Sequence, residues 1–135
     1  MATMKIDGGC HCGRITYEAE IDLDKVAICH CEDCKSFSGS EFRGAAPALW
    51  FKLTGEEPHR YLKTADSGHV NAMLLCPNCG THVCSTGSEP GSQFFGVKWG
   101  TARQRAEIKP VVNAFCRSAH DWVWDIGSLP KREKS

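Results

Sequence analysis

Apolar and polar residues alternate along much of this chain, in short runs broken by turn residues. Ile15, Tyr17, Ala19 and Ile21 share one face of residues 14–21, the period-two pattern of a half-buried strand. Residues 5–9 read as a short strand running into Gly8-Gly9, and residues 26–28 as an apolar strand leading to Cys29. Residues 41–49 read as extended, and Pro47 assigns them to a sheet edge. Residues 50–53, 60–64, 69–75, 93–99 and 110–116 are further strand candidates. Residues 22–25 and 66–68 carry turn chemistry, and residues 86–92, rich in Gly, Ser and Pro, are the clearest loop. Helical periodicity is scarce: residues 32–37 read as one helical turn ended by Gly39, and residues 100–107 as a turn or short helix. Many short strands between turn signals predict an all-β fold. No internal repeat or linker interrupts residues 1–135, which predicts a single domain.

Composition changes the picture in one respect. The chain has 135 residues, enough to bury a core, with 16 basic and 16 acidic side chains and a net charge of zero. That balance gives no electrostatic footprint for nucleic acid or an anionic membrane. Residues 1–9 lack the apolar stretch of a signal peptide, and no apolar run has the length of a membrane span. Cysteine is the exception, with nine copies. An odd count without an export signal reads as metal binding in a cytoplasmic protein, not as a disulfide framework. A thioredoxin-type redox pair would need a βαβ context, which the strand pattern does not supply.

Seven of the nine cysteines fall into three knots: Cys10-His11-Cys12, Cys29-His30-Cys31-Glu32-Asp33-Cys34, and Cys76-Pro77-Asn78-Cys79-Gly80. Structural zinc takes four protein ligands, whereas catalytic zinc typically takes three and keeps a position open. Seven reads as four plus three. Cys10, Cys12, Cys76 and Cys79 are the candidate four, though spacing alone does not fix that pairing. Cys29, Cys31 and Cys34 are the candidate three. Either a fourth protein ligand closes that triplet (His30, His69, His82, Cys84 or Cys116) or water or substrate takes the position. Cys84 and Cys116 read by default as small buried hydrophobes. His59 and His120 read as surface residues, Trp99, Trp122 and Trp124 as core or rim, and Glu32 and Asp33 as solvated acids at a helix start.

The segments Gly9-Cys10-His11-Cys12-Gly13, Tyr17, Cys29-His30-Cys31-x-x-Cys34-Lys35-x-x-x-Gly39 and Cys76-x-x-Cys79-Gly80-Thr81 together resemble the glutathione-dependent formaldehyde-activating enzymes, a family that includes centromere protein V. The resemblance extends from about Gly8 to Pro110. It implies a β-tent fold of antiparallel sheets stapled by zinc, with structural Zn2+ on Cys10, Cys12, Cys76 and Cys79. It implies a second, catalytic Zn2+ on Cys29, Cys31 and Cys34, where the glutathione thiol is expected. The implied reaction is that of a carbon–sulfur lyase: addition of a small-molecule thiol to formaldehyde or a related electrophile, giving S-(hydroxymethyl)glutathione in the founding case. The rival reading is a non-catalytic, zinc-stabilised interaction module. The chain departs from the family pattern at Lys35, where arginine is common, at Ala102-Arg103, where Leu-Asp is frequent, and at Asn113-Ala114, where His-Ile is usual.

Overall fold

The computed structural model describes residues Met1–Ser135. Nine strands and one short α-helix carry the fold: β1 (Thr3–Gly9), β2 (Thr16–Asp22), β3 (Ala27–Cys29), α1 (Glu32–Ser38), β4 (Arg43–Leu53), β5 (His59–Thr64), β6 (Val70–Leu75), β7 (His82–Gly87), β8 (Phe95–Val97) and β9 (Val112–Ala114). The strands run in the order β1-β2-β4-β8-β7-β6-β5, with β3 paired to β4 and β9 to β3. The expected all-β, antiparallel architecture is observed. The one parallel pair is β3 with β9. The alternation over residues 14–21 does what it predicts: Ile15, just before β2, and Tyr17, Ala19 and Ile21 within it are each at most 1% exposed. Burial of each large apolar side chain there contributes about 1.5–3 kcal/mol. Tyr17 stacks on Phe51 with ring centroids 5.0 Å apart, and its hydroxyl meets Thr101 Oγ1 at 2.8 Å. Val83, Cys84 and Val97 close the same core from β7 and β8.

β4 is the strand on which the sheet turns, and here the edge assignment of Pro47 fails. β4 is central and continuous through residues 50–53. Its first residues pair with β3, Ala46 and Pro47 pair with β8, and Ala48 onward pairs with β2. Pro47 falls between the residues paired to β3 and those paired to β2, so its missing N–H costs no ladder bond there. Leu49 is an extra residue in the register against β2, a bulge that bends the strand beside that change of partners. Trp99 packs against Gly44: a Cβ at that glycine would come within 2.4 Å of the Trp99 ring.

Other differences are local. Residues 86 and 87 belong to β7, so the loop begins at Ser88. Residues 100–107 hold two short 3-10 turns, and the strand expected over 110–116 shrinks to β9. Cys84 is fully buried as expected, but Cys116 is exposed, because it opens a 3-10 turn that leaves β9 outward. Trp99 packs on the core, while Trp122 and Trp124 are half exposed on a C-terminal 3-10 segment. His59 and His120 are on the surface, but His120 has a partner, Glu41 Oε1 at 2.8 Å. No helix is long and apolar enough to cross a membrane.

Candidate metal centres and active site

The first thiol cluster is built from two turns. Gly13 (φ 88°) and Gly80 (φ 80°) supply the left-handed residues that fold each knot back on itself. The turns meet through Thr81, whose hydroxyl accepts from His11 N at 3.1 Å and lies 3.2 Å from Cys79 Sγ. The sulfurs of Cys10, Cys12, Cys76 and Cys79 all lie within 4.8 Å of one another. Cys10–Cys12 and Cys12–Cys76 are 3.6 Å apart, too far for a disulfide and close to the edge of about 3.8 Å that four sulfurs about 2.3 Å from a tetrahedral zinc would span. Backbone N–H groups of Ile15, Asn78 and Cys79 point at these sulfurs at 3.2–3.4 Å, which favours thiolates. The Thr81 hydroxyl, followed by nearby backbone N–H groups, holds Cys79 down to about 5.

The second cluster hangs from β3. That strand lies between β4 and β9, and its register sets Cys29 across from Arg43 on one side and Ala114 on the other. Cys31 caps α1, its sulfur accepting from Cys34 N at 3.2 Å. Glu32 and Asp33 begin the helix and Gly39 ends it, as the sequence predicts, with Gly39 in the left-handed conformation. Asp33 is not merely solvated: it pairs with Lys63 at 2.8 Å and ties α1 to β5. The sulfurs of Cys29, Cys31 and Cys34 lie within 4.8 Å of one another. The Cys34 thiol lowers Cys29 and is itself pushed up by it, while burial raises Cys31. Three close thiols that hold each other's protons in this way suit a divalent, thiophilic ion.

No other cysteine, histidine or carboxylate joins the triplet. His30 is fully buried, with Nε2 on Asn113 Oδ1 at 2.9 Å and its ring against Phe42 and Trp124. Cys84 is in the core, and His69 and Cys116 are exposed. His82 is engaged elsewhere. Its Nδ1 lies 3.2 Å from Arg43 Nη1, and a guanidinium only donates, so Nδ1 accepts. Nε2 therefore carries the proton and donates to the Cys84 carbonyl at 3.1 Å.

This arrangement holds Arg43, a residue of the candidate site that the sequence reading misses. Its Nη2 donates to Cys34 Sγ at 3.4 Å, and its guanidinium sits 5.5 Å from the centre of the Phe37 ring. Arg43, His82, Phe37, Ser38, Leu75, Gly80 and Lys98 line a cavity of about 410 Å3. Its walls include Gly80, which follows Cys79 of the first cluster, and Arg43, which touches Cys34 of the second. Burial, then the Arg43 guanidinium, lowers the Lys98 ammonium to about 8. Burial, then Lys98 and Arg43, lowers His82 to about 3.

Comparison with known proteins decides the family. The family model described as glutathione-dependent formaldehyde-activating enzyme matches residues 5–118. The chain belongs to this family. A curated relative, an uncharacterised lyase of Schizosaccharomyces pombe, is 29% identical over 93 residues, 69% of this chain and 66% of that protein's length. A solved structure of a Rhodobacter sphaeroides protein shares the fold with a TM-score of 0.60 at 19% identity, covering 80% of this chain and 99% of that one.

The three departures from the family pattern do not line the cavity. Lys35 faces Glu32, Glu41 and the Ser118 carbonyl, tying α1 to the C-terminal segment. Arg103 makes a bidentate pair with Asp7 on the surface, and Asn113 holds His30.

The neutral His82 has a pH consequence. Its folded pKa lies far below the 6.5 of a free imidazole, so between these values the unfolded chain binds more protons. That stability is present above about 6.5 and is lost as pH falls toward 3. Between pH 7 and pH 5 the wild-type protein is expected to lose about 2 kcal/mol more than His82→Gln, measured by urea midpoints. Equal losses in the two proteins would mean that His82 is charged when folded.

Proposed function

We propose that the protein is a zinc-dependent carbon–sulfur lyase-type enzyme that adds glutathione or a similar thiol to formaldehyde or a related small electrophile. One observation carries the reading: the Cys29, Cys31 and Cys34 sulfurs converge without a fourth protein donor, beside a cavity. Zinc on these residues would supply a low-pKa environment for one exogenous thiol. In the reaction a sulfur–carbon bond forms, the carbonyl π bond breaks, and the thiol's proton ends on the former carbonyl oxygen. The reverse direction cleaves the same bond. Arg43 fixes the rotamer of Cys34 and brings positive charge to the thiolate-rich side. His82, neutral and with its tautomer set, accepts from Arg43 Nη1 and so orients the guanidinium. Phe37 and Leu75 give the cavity apolar walls that limit water.

Cys10, Cys12, Cys76 and Cys79 take the structural role in this proposal. Their four donors leave no position for a substrate. The test is calorimetry of glutathione on zinc-loaded protein in buffers of different ionisation enthalpy, followed by exchange NMR between formaldehyde and its glutathione adduct. We expect binding with release of one proton, and exchange faster than in protein-free solution. Absence of thiol binding by protein carrying both metals would leave the non-catalytic interaction module as the reading.

A further inference from the structure

The cavity beside the cysteine triplet has an unusual charge. Two of its lining residues, Arg43 and Lys98, are cations, and none is a carboxylate. Lys98 forms no ion pair, and neither does Arg43. The carboxylates of α1 and the segment after it pair elsewhere: Asp33 with Lys63, and Glu41 with Lys35 and His120. Two close, half-buried cations repel each other and are costly without an anion. The triplet's thiolates offset part of this charge, but only Arg43 touches one. Arg43 uses two of its five N–H donors on His82 and Cys34, so three remain.

We propose that this cavity receives a carboxylate carried by the substrate close to its reacting atom, and that Arg43 and Lys98 bind it. The proposal rests on the thiol–electrophile reading above and names the class of molecule it acts on. Distance sets that class. A carboxylate oxygen accepting from Arg43 Nη2 at about 2.9 Å lies no more than about 6 Å from Cys34 Sγ, given the 3.4 Å from Nη2 to that sulfur. A molecule that reacts at the triplet while its carboxylate sits there can therefore be short, with only a few bonds between the carboxylate and the thiol sulfur or aldehyde carbon. Short mercapto acids satisfy this from the thiol side, and 2-oxo acids such as glyoxylate satisfy it from the electrophile side. Guanidinium and ammonium together discriminate a carboxylate from a neutral group by charge-assisted hydrogen bonds. The apolar faces of Phe37 and Leu75 accept the methylene or hydrogen between the two functional groups.

The experiment compares three thiols of similar size on zinc-loaded full-length protein by calorimetry: 3-mercaptopropionate, 2-mercaptoethanol and cysteamine. The thiol arm is supported if the acid binds about tenfold tighter than the alcohol, with the amine weakest. The electrophile arm measures glyoxylate against acetaldehyde, by binding alone and by KM with 2-mercaptoethanol as thiol. Lys98→Met is expected to bring the preferred acid's advantage to within about twofold, and Lys98→Arg to retain it. Whichever arm shows the preference identifies the carboxylate's source. No acid preference in either arm overturns the proposal, as does a preference that Lys98→Met leaves intact. If no thiol binds, the zinc–thiol reading has failed separately. The carboxylate site then stands or falls on whether glyoxylate binds wild type and loses that binding in Lys98→Met.

Discussion

Cys76→Ser is expected to leave the chain insoluble or without a cooperative melt, with no more than one equivalent of zinc per chain. Cys76 is nearly fully buried, directly follows β6, and sits 3.6 Å from Cys12 in the turn after β1. It also accepts from two backbone N–H groups that shape its own turn. Four-cysteine zinc binding is worth about 10–16 kcal/mol in small metal-folded peptides. A whole domain is stable by only about 5–15 kcal/mol. Even a third of the metal's contribution would therefore use up much of the margin. Serine keeps the volume but is a poor zinc ligand, so the loss reports the metal and not a cavity. Circular dichroism melts and metal analysis on the purified variant are the measurements. A variant that melts with wild type would remove the structural role from this cluster.

The second large effect is functional. Cys31→Ala is expected to abolish thiol binding and turnover while the fold survives. The structure adds a complication, because the Cys31 sulfur is also the N-cap of α1. Loss of a cap costs about 1 kcal/mol, so a melting temperature lower by several degrees is expected from that alone. Cys31→Ser separates the two roles: a hydroxyl restores the cap but not the thiolate, so stability should recover and thiol binding should not. X-ray absorption of protein loaded at the triplet gives the independent check. Three sulfurs and a light atom, becoming four sulfurs with added thiol, are expected. Four sulfurs without added thiol, or an extra imidazole nitrogen, would mean that the protein itself closes the site.

What could be read from the sequence was local. The three knots are legible because their spacing is short and their chemistry narrow. β2 is legible because period-two burial leaves an unambiguous stripe. The partner of Cys34 is not: Arg43 becomes relevant only through the register of β3 on β4, and its orientation depends on His82, 39 residues further along the chain. Lys98 enters the same cavity from the end of β8, where nothing in the surrounding residues marks it. His82 itself was in view as a possible metal ligand, but its tautomer and its work on Arg43 follow from contacts alone. Pro47 misled for a different reason. The rule that sends proline to edges assumes that a strand keeps one neighbour per side, and β4 changes neighbours at that point. Cys116 misled because composition favours burial of free cysteine, whereas the turn after β9 carries it outward.

The two clusters differ in how far apart along the chain their members lie. Cys29, Cys31 and Cys34 fall within six residues, whereas Cys12 and Cys76 meet across 64. Gathering the first set costs little loop entropy, and gathering the second costs the closure of a long loop. A nascent or denatured chain can therefore hold an ion at the triplet before any sheet exists. Because an ion held there also binds the unfolded chain, it returns less folding free energy than one at the four-cysteine cluster. On the proposed assignment, the order of metal capture would run opposite to the order of importance for the fold. A newly made chain short of zinc would fill the triplet first and the four-cysteine cluster last.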